Sequence, residues 1–214
     1  MRVLFISIII TSILSVSCKT EELKSLNSNT LVGEKNFLSG YEPINPDKSL
    51  NVVIEIPAGT IDKWEVNKES GNMNWEIRNG KPRKVNYLGY PANYGMIPKT
   101  LLPKELGGDG DPLDVLILGP AVDRGTIVKA KLIGVLKLLD RGEQDDKLIA
   151  VMEGSIFYEV NSLKELDNSF KGVSTIIETF FSNYKGPGKM ESQGFSENDE
   201  AKKILNNAID EYKK

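Results

Sequence analysis

Six apolar segments separated by turn residues constrain the fold of this chain more than any other feature of its sequence. Each is rich in Val, Ile, Leu or aromatic residues and is bounded by Gly, Pro or Asp, a pattern that predicts β-strands. The segments are 50–57 (LNVVIEIP), 64–71 (WEVNKESG), 85–91 (VNYLGYP), 114–119 (DVLILG), 126–139 (TIVKAKLIGVLKLL) and 147–152 (KLIAVM).

Two later segments have apolar residues at helical spacing instead. Segment 173–186 (VSTIIETFFSNYKG) has one apolar stripe, and Gly186 is placed to end the helix. Segment 196–214 (SENDEAKKILNNAIDEYKK) has a second stripe, with Ser196 as a candidate N-cap. Strands followed by helices predict a mainly β, α+β fold, in which a small closed or partly closed barrel has two flanking helices.

Composition limits the chemistry that this chain can perform. The 214 residues include no histidine and one cysteine, which argues against a zinc site and a Ser-His-Asp triad and indicates that any metal would have oxygen ligands. The formal net charge is −3, which argues against nucleic-acid binding. A hydrophobic content of 40% is ordinary for one globular domain with a real core.

The N-terminus has the features of a secretory signal peptide. Residues 1–17 (MRVLFISIIITSILSVS) combine a cation, an apolar run too short for a comfortable membrane span, and small residues before Cys18. The small residues before Cys18 resemble a bacterial lipobox, in which the cysteine is lipidated. Cleavage without lipidation and an uncleaved buried segment are the alternatives.

The region after Cys18 lacks a sustained apolar period. Segment 18–47 would consist of the lipidated cysteine and a region rich in Ser, Asn and Glu, a composition that predicts a flexible tether. Segment 48–214 is then the folded domain. The expected location is outside the cytoplasm, with the protein anchored by lipid to a bacterial membrane and facing the periplasm or the exterior.

Two acidic turns lie next to predicted strands. GGDGDPLDVLILG contains Asp109, Asp111 and Asp114, and LLDRGEQDDKLIAV contains Asp140 and Asp145. The first turn is not an EF-hand loop, which needs Gly where Asp114 stands. A solvated acidic turn is the plain alternative. Together, the two turns predict a divalent-metal cluster with hard oxygen ligands suited to Mg²⁺ or Mn²⁺.

Cationic and phenolic residues are interleaved with these acids. Taken singly, each is a surface charge or a core aromatic. Taken together, they describe a site for a highly anionic ligand bridged by metal, and phosphate chemistry fits best. The residues are Lys63, Arg83, Tyr90, Tyr94, Lys147, Tyr184 and Lys185, with Glu55 and Glu65 beside them.

The order and spacing of these segments resemble the soluble (family I) inorganic pyrophosphatases. VVIEIPAG, KWEVNKESG, GYPANYG, GDGDPLDVLILG, LLDRGEQDDKLIAV and FFSNYKG carry the resemblance, which covers about residues 48–212. It implies a five-stranded OB-like barrel and Mg²⁺-dependent hydrolysis of pyrophosphate to two phosphates. Membrane contact is expected through the lipid anchor only. The sequence leaves open whether the protein forms a homo-oligomer.

The resemblance also implies a role for each candidate residue. Asp109, Asp114 and Asp145 would bind the metals that activate water, Asp140 would hold metals that arrive with the substrate, and Asp111 would be the general base. Lys63, Arg83, Tyr94, Lys147, Tyr184 and Lys185 would hold the phosphates. Glu55, Glu65 and Tyr90 would surround them.

One position departs from the family pattern. After Asp140 the family usually has Glu, and this chain has Arg141, which exchanges an acid for a base near the metals. Two alternative functions are a catalytically silent lipoprotein that binds phosphate or polyphosphate, and a metal-dependent nucleotide phosphohydrolase. The carboxylates expected of an active enzyme are all present, and no base-stacking groove is evident in the sequence.

Overall fold

The computed structural model describes residues 24–104, 107–108 and 110–214. The strands in this part are β1 Lys24–Asn27, β2 Thr30–Val32, β3 Leu50–Ile56, β4 Trp64–Val66, β5 Met73–Trp75, β6 Ile77–Arg78, β7 Lys81–Pro82, β8 Asn93–Met96, β9 Asp114–Leu118, β10 Ile127–Asp140, β11 Glu143–Gln144, β12 Lys147–Met152 and β13 Met190–Glu197. The helices are α1 Leu163–Ser169, α2 Val173–Asn183 and α3 Asn198–Tyr212.

Five strands form a closed ring of hydrogen-bonded pairs. The order is β10, β12, β9, β8 and β3, and β3 pairs back onto β10, with Ile127–Ala130 opposite Leu50–Val53. Only the β9–β12 pair is parallel, whereas the other four pairs are antiparallel. The predicted mainly β fold is therefore confirmed, and the closed pairing agrees with the predicted five-stranded barrel.

The ring strands bury both of their faces. In β9, Val115 and Ile117 belong to one apolar cluster, whereas Leu116 and Leu118 belong to another. Successive side chains of a strand point to opposite faces. The first cluster includes residues of α3, and the second includes residues of α1 and α2. Residues of α3 thus pack in the cluster on one side of these strands, and residues of α1 and α2 pack in the cluster on the other side.

Several predicted elements differ from the structure. Segment 85–91 does not form one of these strands. Strand β8 begins only at Asn93, after Pro91, which has no backbone N–H to donate to a neighbouring strand. Ser196 lies within β13 and is not a helix cap, since α3 begins after Glu197. The seven-residue helix α1 makes a third helix beside the two expected. Helix α2 was correctly predicted, and Gly186 (φ 101°) follows its end.

The region expected to be a flexible tether is folded from residue 24 onwards. Strand β2 pairs with β1 and with β5, which places the N-terminal hairpin on the small sheet β1-β2-β5-β4. Phe37 is 1% exposed and packs in a cluster with Trp64 and Met73. This part of the chain is therefore attached to the domain by strand pairing and apolar burial. Residues 1–23, including Cys18, lie outside the described residues.

Candidate active site

A cavity of about 570 Å³ lies where β4, β8, β9, β10 and β12 meet the C-terminal end of α2. It brings together residues that are up to 130 positions apart, from Glu55 to Lys185. The predicted site residues that line it are Glu55, Lys63, Glu65, Arg83, Tyr94, Asp111, Asp114, Asp140, Asp145, Lys147, Tyr184 and Lys185. Tyr90 packs behind this wall, and Asp109 lies outside the described residues.

A buried lysine links the two acidic turns. Lys147 in β12 is 1% exposed, and its Nζ lies 2.5 Å from Asp114 Oδ2 and 2.5 Å from Asp145 Oδ1. The parallel pairing of β9 with β12 places these residues side by side. Burial alone would lower the pKa of Lys147, but the carboxylates of Asp114 and Asp145 raise it well above its ordinary value. Lys147 is therefore a permanent cation.

The end of α2 delivers a second cation. Lys185 follows the helix cap Tyr184, and its Nζ lies 2.8 Å from Asp140 Oδ2 and 3.3 Å from Asp145 Oδ2. Burial raises the pKa of Asp145, but Lys147 and Lys185 outweigh it and lower that pKa below its usual value. The carboxylate of Asp145 is therefore ionised over the neutral range. The second oxygen of Asp140, Oδ1, is buried and has no hydrogen-bond partner among the described residues.

Two further carboxyl groups, those of Glu55 and Glu65, lie near Lys63. The Nζ of Lys63 lies 3.9 Å from Glu65 Oε2 and 5.2 Å from the centre of the Tyr94 ring. Glu55 is 5% exposed and its Oε1 accepts a hydrogen bond of 2.7 Å from the backbone N–H of Val66. Burial raises the pKa of Glu55 to about 8, against the opposing effect of Lys63.

Tyr94 and Tyr184 form the aromatic side of the cavity, and Tyr90 packs behind them. The ring of Tyr90 lies 5.2 Å from that of Tyr94 and 6.1 Å from that of Tyr184, centre to centre. Phe180 and Phe181 of α2 pack against the same group. Burial, followed by the charge of Asp114, raises the pKa of Tyr94 well above its ordinary value. Tyr94 therefore keeps its phenolic proton at neutral pH and can donate a hydrogen bond.

The structure adds contacts that the sequence did not predict. Lys68 donates to the carboxylate of Asp111 and, at 3.2 Å, to the carbonyl of Gly110. Arg83, the predicted phosphate ligand, forms an ion pair with Glu76. Lys68 lies within the KESG segment that pointed to the site, but its partner is 43 positions away, so only the fold could identify the contact.

The charge of the cavity suits divalent cations. Among its described lining residues, eight carry carboxyl groups and five are cationic. Within the described ranges, no three acidic side chains already form a closed ligand set, because the ammonium group of Lys147 lies between Asp114 and Asp145. The carboxylates of this group nevertheless offer only oxygen ligands, and Asp140 Oδ1 has no hydrogen-bond partner among the described residues. These residues therefore fit a hard cation such as Mg²⁺.

Comparison with known proteins identifies the domain. Residues 52–213 match the Pyrophosphatase family model, described as inorganic pyrophosphatase. The inorganic pyrophosphatase of Helicobacter pylori (strain ATCC 700392 / 26695) is 39% identical over 170 residues, covering 77% of this chain and 91% of that protein. That of Gluconobacter oxydans is 36% identical over 174 residues, covering 78% of this chain and 95% of that protein.

The comparisons also correct the predicted location. The relatives are named as inorganic pyrophosphatases, and none of the names given above indicates export or a lipid anchor. The prediction of an exported, lipid-anchored protein is therefore wrong on these findings. It rested on a short apolar run, small residues and one cysteine, a pattern of low specificity. Within the part of the chain that the structure describes, no helix is both long enough and apolar enough to cross a membrane.

Solved structures agree with the family match. The H. pylori inorganic pyrophosphatase superposes with a TM-score of 0.66 at 36% identity, covering 78% of this chain and 94% of that chain. The type I inorganic pyrophosphatase of Toxoplasma gondii superposes with a TM-score of 0.80 at 23% identity, covering 90% and 97%, which supports the fold alone. With this family match and the H. pylori relatives, the chain belongs to the inorganic pyrophosphatase family.

Proposed function

We propose that this protein hydrolyses inorganic pyrophosphate to two phosphate ions. The single observation that carries the proposal is the cavity in which Lys63, Lys147 and Lys185 face Asp114 and Asp145. A small polyanion needs cations to bind it, and its reaction needs carboxylates that bind metal and accept a proton. Both sets are present within one cavity, in a chain of the matching family.

The cationic and phenolic side chains would bind the two phosphoryl groups. Lys147 and Lys185 are held in place by carboxylates, and Lys63 is fixed near Tyr94. Hydrogen bonds from charged donors to phosphate oxygens are roughly twice as strong as neutral ones, and partial burial strengthens them further. Tyr94 and Tyr184 would add hydrogen bonds and orient the substrate, and Arg83 would bind at the rim.

We propose Mg²⁺ as the metal, with Mn²⁺ as a substitute. Asp114, Asp140 and Asp145 would hold it together with Asp109, and Oδ1 of Asp140, which has no hydrogen-bond partner among the described residues, would supply one ligand oxygen. When bound, such an ion neutralises phosphoryl oxygens and makes a neighbouring water molecule easier to deprotonate.

Asp111 would act as the general base. It lines the cavity beside Asp114, and Lys68 orients its carboxylate. In the reaction, the oxygen of water forms a bond to one phosphorus atom while Asp111 accepts the proton. The P–O–P bridge breaks, and its oxygen leaves with the second phosphate. Lys63, Lys147 and Lys185 stabilise the charge that develops on the departing group.

A phosphate-release assay tests this proposal. The purified full-length chain is expected to release phosphate from pyrophosphate with Mg²⁺ present, to stop in excess chelator, and to act more slowly on ATP. Binding of pyrophosphate without phosphate release would favour a catalytically silent phosphate-binding protein. Faster hydrolysis of ATP would favour a nucleotide phosphohydrolase, and persistence of activity in chelator would refute the metal-dependent reaction.

A further inference from the structure

A second cavity, of about 320 Å³, adjoins the active-site cavity. Four side chains line both cavities, namely Arg83, Asp140, Tyr184 and Lys185. A molecule bound in the first cavity therefore lies against the wall of the second. The family position that usually carries an acid, and here carries Arg141, is in the second cavity and not in the first.

The two cavities have opposite charge. Among the described residues, eight carboxyl-bearing side chains line the first and five cations oppose them. The second has one carboxylate, Asp140, and six cations: Arg78, Arg83, Lys84, Arg141, Lys185 and Lys189. An acidic cavity suits a phosphoryl group accompanied by metal ions, because the metal offsets the like charges. The basic cavity suits a phosphoryl group that carries no metal.

Two of these cations are available for an anion. Arg78 and Arg83 share the carboxylate of Glu76, and Lys84 lies 3.5 Å from Asp62. In contrast, none of the ion pairs found among the described residues includes Arg141 or Lys189.

The backbone fixes Arg141 and Lys189 beside each other. Arg141 has a φ of 53° in the turn between β10 and β11, and its N–H donates to the carbonyl of Lys189 at 2.9 Å. The preceding residue, Asp140, pairs with Met190 at the start of β13. A β-strand register and a hydrogen bond thus hold the two cations at one end of the second cavity, next to the Lys185–Asp140 pair.

We propose that the second cavity binds the third phosphoryl group of inorganic tripolyphosphate while the other two phosphoryl groups occupy the active-site cavity. This inference rests on the proposed function, since it extends the substrate of the same site. Water would attack a phosphorus atom in the first cavity, the adjacent P–O–P bridge would break, and the released proton would pass to Asp111. The products are one pyrophosphate and one phosphate, and no oxidant or further reactant is needed.

Steady-state kinetics of the full-length chain tests the proposal. The substrates are pyrophosphate and tripolyphosphate with Mg²⁺, and the variants are Arg141→Gln, Lys189→Gln and their combination. The matched control is Lys202→Gln, an exposed lysine of α3 that lines neither cavity. The double variant is expected to raise the KM of tripolyphosphate about 10-fold more than that of pyrophosphate, as loss of charged hydrogen bonds predicts. The control is expected to leave the KM of both substrates unchanged.

A binding measurement separates this site from turnover. With Mg²⁺ present, and with Asp111→Asn introduced into every protein to slow turnover, calorimetry is expected to show that the double variant binds tripolyphosphate about 10-fold more weakly, with a smaller change for pyrophosphate. Equal changes for the two ligands, or a wild-type protein that hydrolyses pyrophosphate but not tripolyphosphate, would overturn the inference and leave the proposed function standing. Failure of the wild type to hydrolyse either compound would refute the proposed function itself.

Discussion

Buried charge is the main energetic problem for single residues in this site. Lys147 is 1% exposed, so removing its ammonium group from water costs several kcal/mol unless carboxylates compensate. Asp114 and Asp145 provide that compensation at 2.5 Å each. Loss of either carboxylate would leave the buried ammonium group with one partner instead of two. Lys147, which would bind a phosphoryl group, therefore also holds Asp114 and Asp145 in place.

Replacing Asp111 with Asn tests the general-base role. Asn keeps the shape and one acceptor oxygen but cannot accept the proton. We expect Asp111→Asn to reduce kcat roughly 10²–10⁴-fold with little change in Mg²⁺ or substrate affinity, and the defect to ease at high pH. The measurement is a rate profile against both Mg²⁺ and pH. Recovery of the rate by added Mg²⁺ alone would mean that Asp111 is a metal ligand.

Glu55 makes stability depend on pH. Its pKa is about 8 in the folded chain against 4.5 ordinarily, so between these values the folded state binds a proton that the unfolded state releases. The contribution of Glu55 to the free energy of unfolding is fully present below about pH 4.5 and is lost as pH rises through about 8. Glu55→Gln keeps an acceptor for Val66 N–H and removes the titration.

The free energy of unfolding of Glu55→Gln is therefore expected to vary less with pH than that of the wild type. Relative to the wild type, the variant should gain roughly a few kcal/mol between pH 5 and pH 8.5. Urea denaturation in the presence of chelator, at several pH values, measures this difference. Parallel curves for the two proteins would show that Glu55 does not titrate in this range.

At the scale of elements, close backbone packing fixes the site. Gly95 in β8 faces β3 so closely that a Cβ atom there would lie 1.9 Å from the carbonyl oxygen of Val53. Its neighbours Tyr94 and Met96 both line the active-site cavity. The β3–β8 pairing that closes the ring thus also positions the aromatic wall of the site.

Gly95→Ala is expected to separate β8 from β3. Because a backbone oxygen cannot move aside as a side chain can, we expect a loss of about 3 kcal/mol in the free energy of unfolding, with a lower kcat/KM. Gly119→Ala is the comparison, since its Cβ would approach Met152 Cβ at 2.9 Å, a less severe approach than 1.9 Å, and the Cε and Sδ atoms at the flexible end of that side chain at 3.3 Å. Denaturation of both variants measures the difference. An equal loss at the two glycines would contradict this account.

The elements differ in how far the sequence predicts them. Strands β9 and β12 are apolar on both faces, so their composition alone identifies them. Strand β13 (MESQGFSE) is mostly polar, and it forms because β10 is long enough to pair with it on one edge. Helix α1 has only seven residues, too few for a clear helical period. Both depend on partners that the local sequence does not show.

The same distinction applies to the site. Motif resemblance identified twelve of the side chains that line the cavity, because their spacing follows the family pattern. The partners Lys68 and Glu76 were not predicted, since each contact depends on how the turns fold against each other. The folded N-terminal region was also missed, because β1 and β2 are short and contain Ser, Asn and Thr, residues that equally suit a tether.

At the scale of the whole molecule, a third apolar cluster connects the N-terminal region to the active site. Phe37 packs in this cluster with Trp64, Val66 and Met96, and its N–H donates to Gly71 at 3.0 Å. Val66 also provides the N–H that Glu55 accepts. The N-terminal region is therefore part of the support of the cavity.

The contribution of this cluster can be measured with one substitution. Phe37 is 1% exposed, so Phe37→Ala would leave a cavity and is expected to lower the free energy of unfolding by about 3–5 kcal/mol. Leu26→Ala is the matched control: Leu26 lies in the same N-terminal region but is 70% exposed, and its loss should stay within about 0.5 kcal/mol. Urea denaturation gives both values, and kcat/KM for pyrophosphate shows whether the loss reaches the site through Val66 and Met96. A small effect at Phe37, comparable to that at Leu26, would mean that residues 24–47 rest on the domain without stabilising it.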